Sequence, residues 1–155
     1  MEPIHRVAVV GAGNMGSGIA QKSAQEEFDV QMVDRELQWV ERGQSIIADF
    51  LSEAVERRIF SPAQVESIQR RITGVVGVEN TAEDTDLVIE AVFEDFDVKT
   101  AVFNALDEAC GDSTILASNT SSLSVNALAE ATGRADRFVG LHFFYHPAKN
   151  RLVEV

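Results

Sequence analysis

Residues 4–16 read Ile4-His5-Arg6-Val7-Ala8-Val9-Val10-Gly11-Ala12-Gly13-Asn14-Met15-Gly16. The apolar start is typical of a strand, and it breaks directly into the spacing Gly-x-Gly-x-x-Gly, which indicates the first turn of a dinucleotide-binding βαβ unit. Gly11 permits a tight turn, Gly13 lets the backbone approach a pyrophosphate, and Gly16 lets the following helix pack closely on the sheet. We predict that these glycines, with Asn14 and Met15, bind the cofactor at the helix N-terminus, where free N–H groups attract phosphate.

The sequence after the glycine loop indicates which dinucleotide is bound. Residues 14–26 suit a helix, and residues 28–33 alternate apolar and polar side chains as a second strand does. This strand ends at Asp34, close to the spacing of ~20 residues at which a carboxylate meets the adenosine ribose and repels a 2′-phosphate. We therefore predict NAD rather than NADP, with Arg35 covering the adenine or facing solvent. The alternative is a glycine turn before an ordinary helix, with a surface aspartate, and it explains fewer of these features.

Composition and charge limit the class of protein. The 155 residues carry a formal net charge of −12, with 45% hydrophobic and 25% charged residues, which suits one soluble domain spanning residues 1–155. Basic runs are no longer than Arg57-Arg58 or Arg70-Arg71, which argues against nucleic acid as a partner. No apolar run approaches the ~20 residues that span a bilayer, and no signal peptide is visible, so no membrane partner is expected. Cys110 is the only cysteine, which fits a cytoplasmic protein, and we interpret it as a packing residue rather than a reactive thiol.

The rest of the chain alternates strand and helix patterns. Nearly continuous apolar runs, such as residues 86–92, suit strands buried on both faces of a parallel sheet. We predict an α/β fold: a doubly wound Rossmann-type sheet, mostly parallel, with a pair of helices inserted after strand 2 and a C-terminal antiparallel hairpin. The first inserted helix is amphipathic and is expected to pack in the core, with a lid or partner surface as the alternative. The predicted strands are 4–10, 29–33, 72–76, 86–92, 113–117, 137–144 and 151–155, and the predicted helices are 14–26, 36–58, 62–70, 96–109 and 124–131.

The predicted hairpin carries a second group of candidate residues. A turn centred near Ala148 places His142 opposite Glu154, with Cβ atoms ~5 Å apart. A carboxylate there can accept a hydrogen bond from one imidazole nitrogen and raise the basicity of the other, which is how a general base is assembled. On spacing alone, a structural histidine and a surface carboxylate are favoured over a general base. A metal site is not expected, because His142 and His146 flank the turn without other clustered ligands.

The polar stretch 118–122 follows a predicted strand at its carboxyl end, where open α/β sheets bind ligands. Ser122 or Ser124 is expected to cap the next helix. The stretch holds more polar residues than capping needs, so we expect the remainder to line a cofactor or substrate site, and we assign Asn119 to the cofactor. A serine hydrolase is not indicated, because the sequence lacks a G-x-S-x-G elbow.

Together these segments resemble the NAD-binding N-terminal domain of the L-3-hydroxyacyl-CoA dehydrogenase family. The resemblance covers essentially the whole chain, and the polar stretch and the hairpin are far more specific to the family than the glycine loop. It also matches Asp34 to the aspartate that binds the adenosine ribose. The matching segments are 10–20, 86–93, 117–123, 140–144 and 152–155.

The resemblance implies a role for each matched side chain. It makes His142 the catalytic histidine and Glu154 its partner, which reverses the preference from spacing alone. It makes Ser121 a substrate contact, and it places Glu94 and Lys99 on the nicotinamide side of the cofactor. The implied reaction is NAD-dependent oxidation of the 3-hydroxyl of a 3-hydroxyacyl-CoA in fatty-acid or related acyl-CoA metabolism. In that reaction His142 takes the hydroxyl proton.

The chain departs from the family pattern in two places. In the family, the long helix after strand 2 helps to hold the CoA moiety, whereas here it carries Phe50 and Arg57 and lacks the serine often found near position 50. The turn 145–150 also differs from the Asn-Pro-Val sequence that is commoner in the family. Both departures concern the side of the site that holds the acyl carrier rather than the redox chemistry, and the turn favours a subfamily with a different substrate.

The resemblance also carries an expectation about domains. Family members continue into an all-helical domain that closes the substrate cleft and forms a homodimer. Because the sequence stops at Val155, we expect a domain that binds NAD but turns over acyl-CoA poorly, and a homodimer for the full-length protein. Two other functions stay open: dehydrogenation of another alcohol, such as a ring hydroxymethyl or a sugar acid, and a non-catalytic NAD-binding role.

Overall fold

The computed structural model describes residues 3–155 and contains a six-stranded sheet, a separate two-stranded sheet and five α-helices among these residues. Two short 3₁₀ turns, Val78–Asn80 and Ala135–Arg137, join the elements. The strands are β1 (Arg6–Val10), β2 (Asp29–Asp34), β3 (Ile72–Val76), β4 (Leu87–Glu90), β5 (Ile115–Ser118), β6 (Phe138–Gly140), β7 (His142–Phe143) and β8 (Val153–Glu154). The helices are α1 (Asn14–Gln25), α2 (Leu37–Glu56), α3 (Pro62–Arg70), α4 (Phe96–Ala109) and α5 (Val125–Glu130).

The large sheet is parallel throughout, with the strand order β3-β2-β1-β4-β5-β6. This is the predicted doubly wound arrangement, and the predicted pair of helices, α2 and α3, lies between β2 and β3. The strand order reverses between β1 and β4, so the crevice that binds ligands in such sheets opens beyond the carboxyl ends of these two strands. The glycine loop leaves β1 at that point.

Alternate residues of the central strands point into two hydrophobic layers. Val7 and Val9 face a layer closed by α1, α2 and α3, whereas Ala8 and Val10 face a layer closed by α4 and α5. Helix α2 buries its apolar stripe in the first layer, as expected for core packing. Cys110 is buried in the second layer, where burial raises the pKa of its thiol, in agreement with a packing role.

Helix boundaries follow the local capping chemistry. The Ser61 hydroxyl accepts a hydrogen bond from the Gln64 N–H, and the Gln64 side-chain oxygen accepts one from the Ser61 N–H, which forms a capping box at Pro62. Ser124, not Ser122, caps α5 by accepting from the Ala127 N–H at 3.2 Å. Over residues 3–155, no helix combines the length and the apolar character that crossing a bilayer requires.

The predicted strand 137–144 is two strands rather than one. Residues Phe138–Gly140 pair with β5, but the chain then turns away, and His142–Phe143 pairs only with Val153–Glu154. The neighbouring strand supplies no partner beyond Ser118, whose carbonyl accepts from the Leu141 N–H at 2.9 Å. The predicted strand 151–155 is reduced to Val153–Glu154, the two residues that pair with the two-residue strand β7.

Candidate active site

The glycine loop fits a dinucleotide phosphate site. Gly11 has φ +104 and a Cβ at Gly16 would lie 1.6 Å from the Gly11 carbonyl oxygen, so these two glycines are required by the turn itself. A Cβ at Gly13 would meet nothing within 4 Å, so the fold does not need glycine there. Helix α1 starts at Asn14 with no side-chain cap. The loop therefore leaves open space and free N–H groups where a pyrophosphate is expected.

Asp34 lies at the end of β2, beside the glycine loop, as the sequence predicts. Its Oδ2 accepts a hydrogen bond from the Ala12 N–H at 2.7 Å, and its Oδ1 accepts from the Arg35 N–H at 2.7 Å. The contact with Ala12 couples the aspartate to the loop and was not predicted from the sequence. Each carboxylate oxygen keeps a further lone pair for a ribose hydroxyl. The Arg35 guanidinium is exposed and pairs with Glu36 at 3.3 Å, so it faces solvent.

His142 and Glu154 meet in the predicted register. They are directly paired in the β7–β8 hairpin, and Nδ1 of His142 lies 3.3 Å from Oε2 of Glu154. About a quarter of the His142 side chain is exposed, whereas Glu154 is mostly exposed. The carboxylate favours the tautomer in which Nδ1 carries the proton, which leaves Nε2 as the acceptor that a general base needs.

A cavity of ≈ 360 Å³ opens at the carboxyl ends of the central strands and brings six of the predicted site residues together. Asn119 also anchors the hairpin, because its Oδ1 accepts from the Phe143 N–H at 2.8 Å. Gly13 and Asp34 lie outside this cavity, at the start of α1 and the end of β2. The six residues on the cavity wall are Met15, Glu94, Lys99, Asn119, Ser121 and His142.

Glu94 is held as a carboxylate beside Ser121. Burial raises the pKa of Glu94, but hydrogen bonds from Thr120, Lys99 and Ser122 outweigh burial, and the net pKa lies below its usual range. The Ser121 N–H also donates to this carboxylate at 3.3 Å, and Lys99 Nζ lies 3.1 Å from it. The Thr120 and Ser122 hydroxyls of the polar stretch therefore fix a charged group on the cavity wall, whereas the cap of α5 is Ser124.

Two residues at this site escaped the sequence analysis. Glu90 is fully buried, and one of its carboxylate oxygens accepts from Lys99 Nζ at 2.6 Å while the other accepts from Ser118 Oγ at 2.7 Å. The signal for Glu90 was a single carboxylate at the end of an otherwise apolar strand. Ser118 was grouped with the polar stretch, but its partner follows only from the register of β4 and β5.

Phe50 and four residues of the turn 145–150, which depart from the family pattern, line a second cavity of ≈ 640 Å³ next to the first, whereas Arg57 does not line it. Phe50 of α2 stacks on His146 with ring centroids 4.6 Å apart, and Lys149 Nζ lies 4.6 Å from the Phe50 ring centroid. Burial lowers the pKa of His146, and the charge of Lys149 lowers it further. Tyr145 lines both cavities, so the two are neighbours.

Comparison with known proteins agrees with this geometry. Residues 6–155 match the family model described as 3-hydroxyacyl-CoA dehydrogenase, NAD binding domain. The chain is 40% identical over 152 residues to a probable 3-hydroxybutyryl-CoA dehydrogenase of Bacillus subtilis, covering 98% of this chain and 53% of the relative. It superimposes on the (S)-3-hydroxybutyryl-CoA dehydrogenase of Ralstonia eutropha with a TM-score of 0.94 and 39% identity, covering 97% of this chain and 53% of that one. It superimposes on a diketoreductase that acts on dicarbonyl compounds with a TM-score of 0.93 and 30% identity, covering 100% of this chain and 55% of that one.

The chain thus spans about half the length of the curated relatives that it matches first. The family match nevertheless extends over nearly all of it, from β1 to the end of the hairpin. The chain belongs to the 3-hydroxyacyl-CoA dehydrogenase family and corresponds to its NAD-binding domain.

Proposed function

We propose that this protein serves the NAD-dependent oxidation of the 3-hydroxyl of a 3-hydroxyacyl-CoA to a 3-oxoacyl-CoA. The observation that carries the proposal is the His142–Glu154 pair at 3.3 Å, in which His142 lines the same cavity as Ser121. That cavity opens at the switch point of the sheet, next to the glycine loop. A base and a hydroxyl donor thus line one space where a secondary alcohol fits, and the partner carboxylate contacts the base from the other strand of the hairpin.

Cofactor binding is assigned to two groups of residues. We assign the phosphates to Gly11, Gly13 and Gly16 with the N-terminus of α1, and the adenosine ribose to Asp34. The nicotinamide end is assigned to the cavity, beside Met15, Glu94, Lys99 and Asn119. When bound, NAD supplies the two-electron acceptor that the alcohol oxidation requires.

Proton transfer is assigned to the hairpin. Nε2 of His142 accepts the proton of the 3-hydroxyl, and Glu154 stabilises the imidazolium that results. Ser121 donates a hydrogen bond to the reacting oxygen and holds it in position. Such general base catalysis contributes about 10²- to 10⁴-fold to the rate, and holding the reactants together contributes much of the rest.

The acyl carrier is assigned to the second cavity. Lys149 supplies a positive charge over the Phe50 ring, which suits an anionic group attached to an aromatic base. The family's helical, dimer-forming domain remains a prediction for the complete enzyme, and the greater length of the curated relatives supports it.

The test replaces His142 with alanine and uses His5→Ala as a matched control. His5 is an exposed histidine at the start of β1, away from the cavity. We expect H142A to bind NADH within about twofold of the wild type and to lose about 10²-fold or more of the oxidation of 3-hydroxybutyryl-CoA, followed as NADH formation. The control should change neither quantity. A full-length wild-type protein that binds NADH but oxidises no acyl-CoA in single-turnover experiments would contradict the proposal.

A second candidate is oxidation of an alcohol that carries no CoA, by the same residues. The structural similarity to a diketoreductase and the altered turn 145–150 favour it. A substrate panel that includes hydroxymethyl aromatic compounds and sugar acids separates the two candidates. A purely NAD-binding role is disfavoured, because it would not need His142 and Ser121 on one cavity with Glu154 paired to the histidine.

A further inference from the structure

Glu90 lies in the middle of the large sheet, close to the proposed nicotinamide site. It is the last residue of β4, and it is paired with Val10 of β1 and with Ser118 of β5. Val10 immediately precedes the glycine loop, and Ser118 is the first residue of the polar stretch. The Glu90 side chain is fully buried. A buried carboxylate is strongly unfavourable unless it is paired and hydrogen-bonded, so its partners are informative.

Both oxygens of the Glu90 carboxylate are engaged. Oε1 accepts from Lys99 Nζ at 2.6 Å and from the Val92 N–H at 2.7 Å, and Oε2 accepts from Ser118 Oγ at 2.7 Å. Ser118 Oγ in turn accepts from the Thr120 N–H at 3.3 Å. One carboxylate therefore ties together α4, the segment after β4 and the polar stretch after β5, which are three of the segments that form the cavity.

We propose that Glu90 is a positioning residue of the dehydrogenase, which holds Lys99 and Glu94 in place for the nicotinamide end of the cofactor. The proposal rests on the function proposed above. Glu90 does not line the cavity, whereas Lys99 and Glu94 do, so Glu90 acts through them.

The charges explain why a carboxylate is needed. The Lys99 ammonium is buried between two carboxylates, 2.6 Å from Glu90 and 3.1 Å from Glu94. Without the charge on Glu90, the ammonium is attracted by Glu94 alone, and Glu94 is the partner that faces the cavity. The ammonium then draws Glu94 away from the Thr120 hydroxyl and the Ser121 N–H, which disturbs the cavity wall. The phosphate and ribose sites lie on β1, β2 and α1 and keep their geometry.

The experiment compares two ligands by isothermal titration calorimetry. NADH reaches both the adenosine and the nicotinamide sites, whereas ADP-ribose lacks the nicotinamide ring. We expect Glu90→Gln, which preserves the shape of the side chain, to weaken NADH binding about tenfold or more and to change ADP-ribose binding by less than about twofold. Thr114→Val is the matched control. It removes a buried hydroxyl just before β5 that donates to the Thr85 carbonyl at 2.6 Å, and it should change neither affinity.

Loss of affinity for both ligands alike would show that Glu90 only supports the fold and would overturn the proposal. Unchanged NADH affinity in E90Q would overturn it as well. If E90Q does not fold, as judged by circular dichroism, Ser118→Ala takes its place, with a loss of about threefold for NADH and none for ADP-ribose. A wild-type protein that does not bind NADH would contradict both the proposed function and the positioning role of Glu90. The titration of the wild type with NADH shows this result before any variant is tested.

Discussion

Alanine substitutions at Gly13 and Gly16 should affect different properties, cofactor binding at Gly13 and stability at Gly16, although the two residues belong to one motif. At Gly16, the added Cβ would lie 1.6 Å from the Gly11 carbonyl oxygen, so α1 must move away from the turn. We expect a loss of about 3 kcal/mol in the free energy of unfolding, at the upper end of the range for overpacking. At Gly13, the Cβ meets nothing within 4 Å and φ is −73, which suits alanine. Alanine is a poorer N-cap than glycine, which costs ~1 kcal/mol, but it also lowers the conformational entropy of the unfolded chain. The two effects partly cancel, so the free energy of unfolding changes by less than about 1 kcal/mol.

Two measurements on the same protein preparations separate the effects. Urea denaturation gives the free energy of unfolding, and NADH titration gives the dissociation constant. For Gly13→Ala we expect near-native stability and a dissociation constant raised about tenfold or more, equivalent to about 1.4 kcal/mol, because the methyl group occupies the space assigned to the pyrophosphate. For Gly16→Ala we expect the loss of stability to come first, with weaker binding as its consequence.

If Gly13→Ala binds NADH as tightly as the wild type does, the open space at Gly13 does not hold the phosphates, and the assignment of this space to the pyrophosphate is wrong. The expected difference in stability is wrong if Gly13→Ala and Gly16→Ala lose equal stability, because the fold would then need both glycines. Trp39 is the sole tryptophan in the sequence and lies in the first turn of α2, which follows Asp34. Its fluorescence therefore offers an independent signal of binding.

Three further predictions concern stability. Arg134→Ala should lower the free energy of unfolding by about 3 kcal/mol in urea denaturation, because the buried guanidinium pairs with Asp107 and donates to the carbonyls that end α4; an unchanged midpoint would contradict this. Glu27→Gly should raise the free energy of unfolding by up to ~1 kcal/mol, because Glu27 has φ +71 after α1, where glycine is preferred, and a lower melting temperature would refute the reasoning. Acid titration followed by circular dichroism should show the free energy of unfolding falling as pH drops below ~4. Asp86 and Glu94 have pKa values below their usual range in the folded chain. The stability that they contribute is therefore fully present above their pKa in the unfolded chain and is lost as pH falls through their pKa in the folded chain. For Asp86 the cause is hydrogen bonding from the N–H groups of Arg6 and His5, so Asp86→Asn should flatten this acid limb.

Features that depend on neighbouring residues in sequence were predictable. Helix α4 begins and ends where the sequence predicts, because Asp95 caps its first turn and its apolar positions repeat at helical spacing. The pairing of His142 with Glu154 was also within reach, because a short turn fixes the register of a hairpin. The split of strand 137–144 was not, because it depends on where β5 ends, and no local pattern around Leu141 encodes that.

The candidate site divides in the same way. The residues proposed to contact the ligand are recognisable in the sequence from a glycine spacing, an aspartate at a set distance, and a histidine opposite a glutamate. The residues that hold them, such as Glu90 with Ser118 and Asp34 with Ala12, become partners only when parallel strands are placed side by side. Sequence reasoning therefore finds the groups that perform chemistry more readily than the buried groups that orient them.

The distribution of charge shows how a chain with a net charge of −12 can take an anionic dinucleotide. The glycine loop, residues 11–16, contains no lysine or arginine, and two cations beside the proposed site are already paired: Lys99 with Glu90 and Glu94, and Arg35 with Glu36. We therefore expect phosphate binding to depend on the backbone N–H groups and the dipole at the start of α1, whose effect is confined to about one helical turn. Binding of this kind requires a close approach of backbone to phosphate, so we expect the open space at Gly13 to matter more for the cofactor than any side chain in the loop.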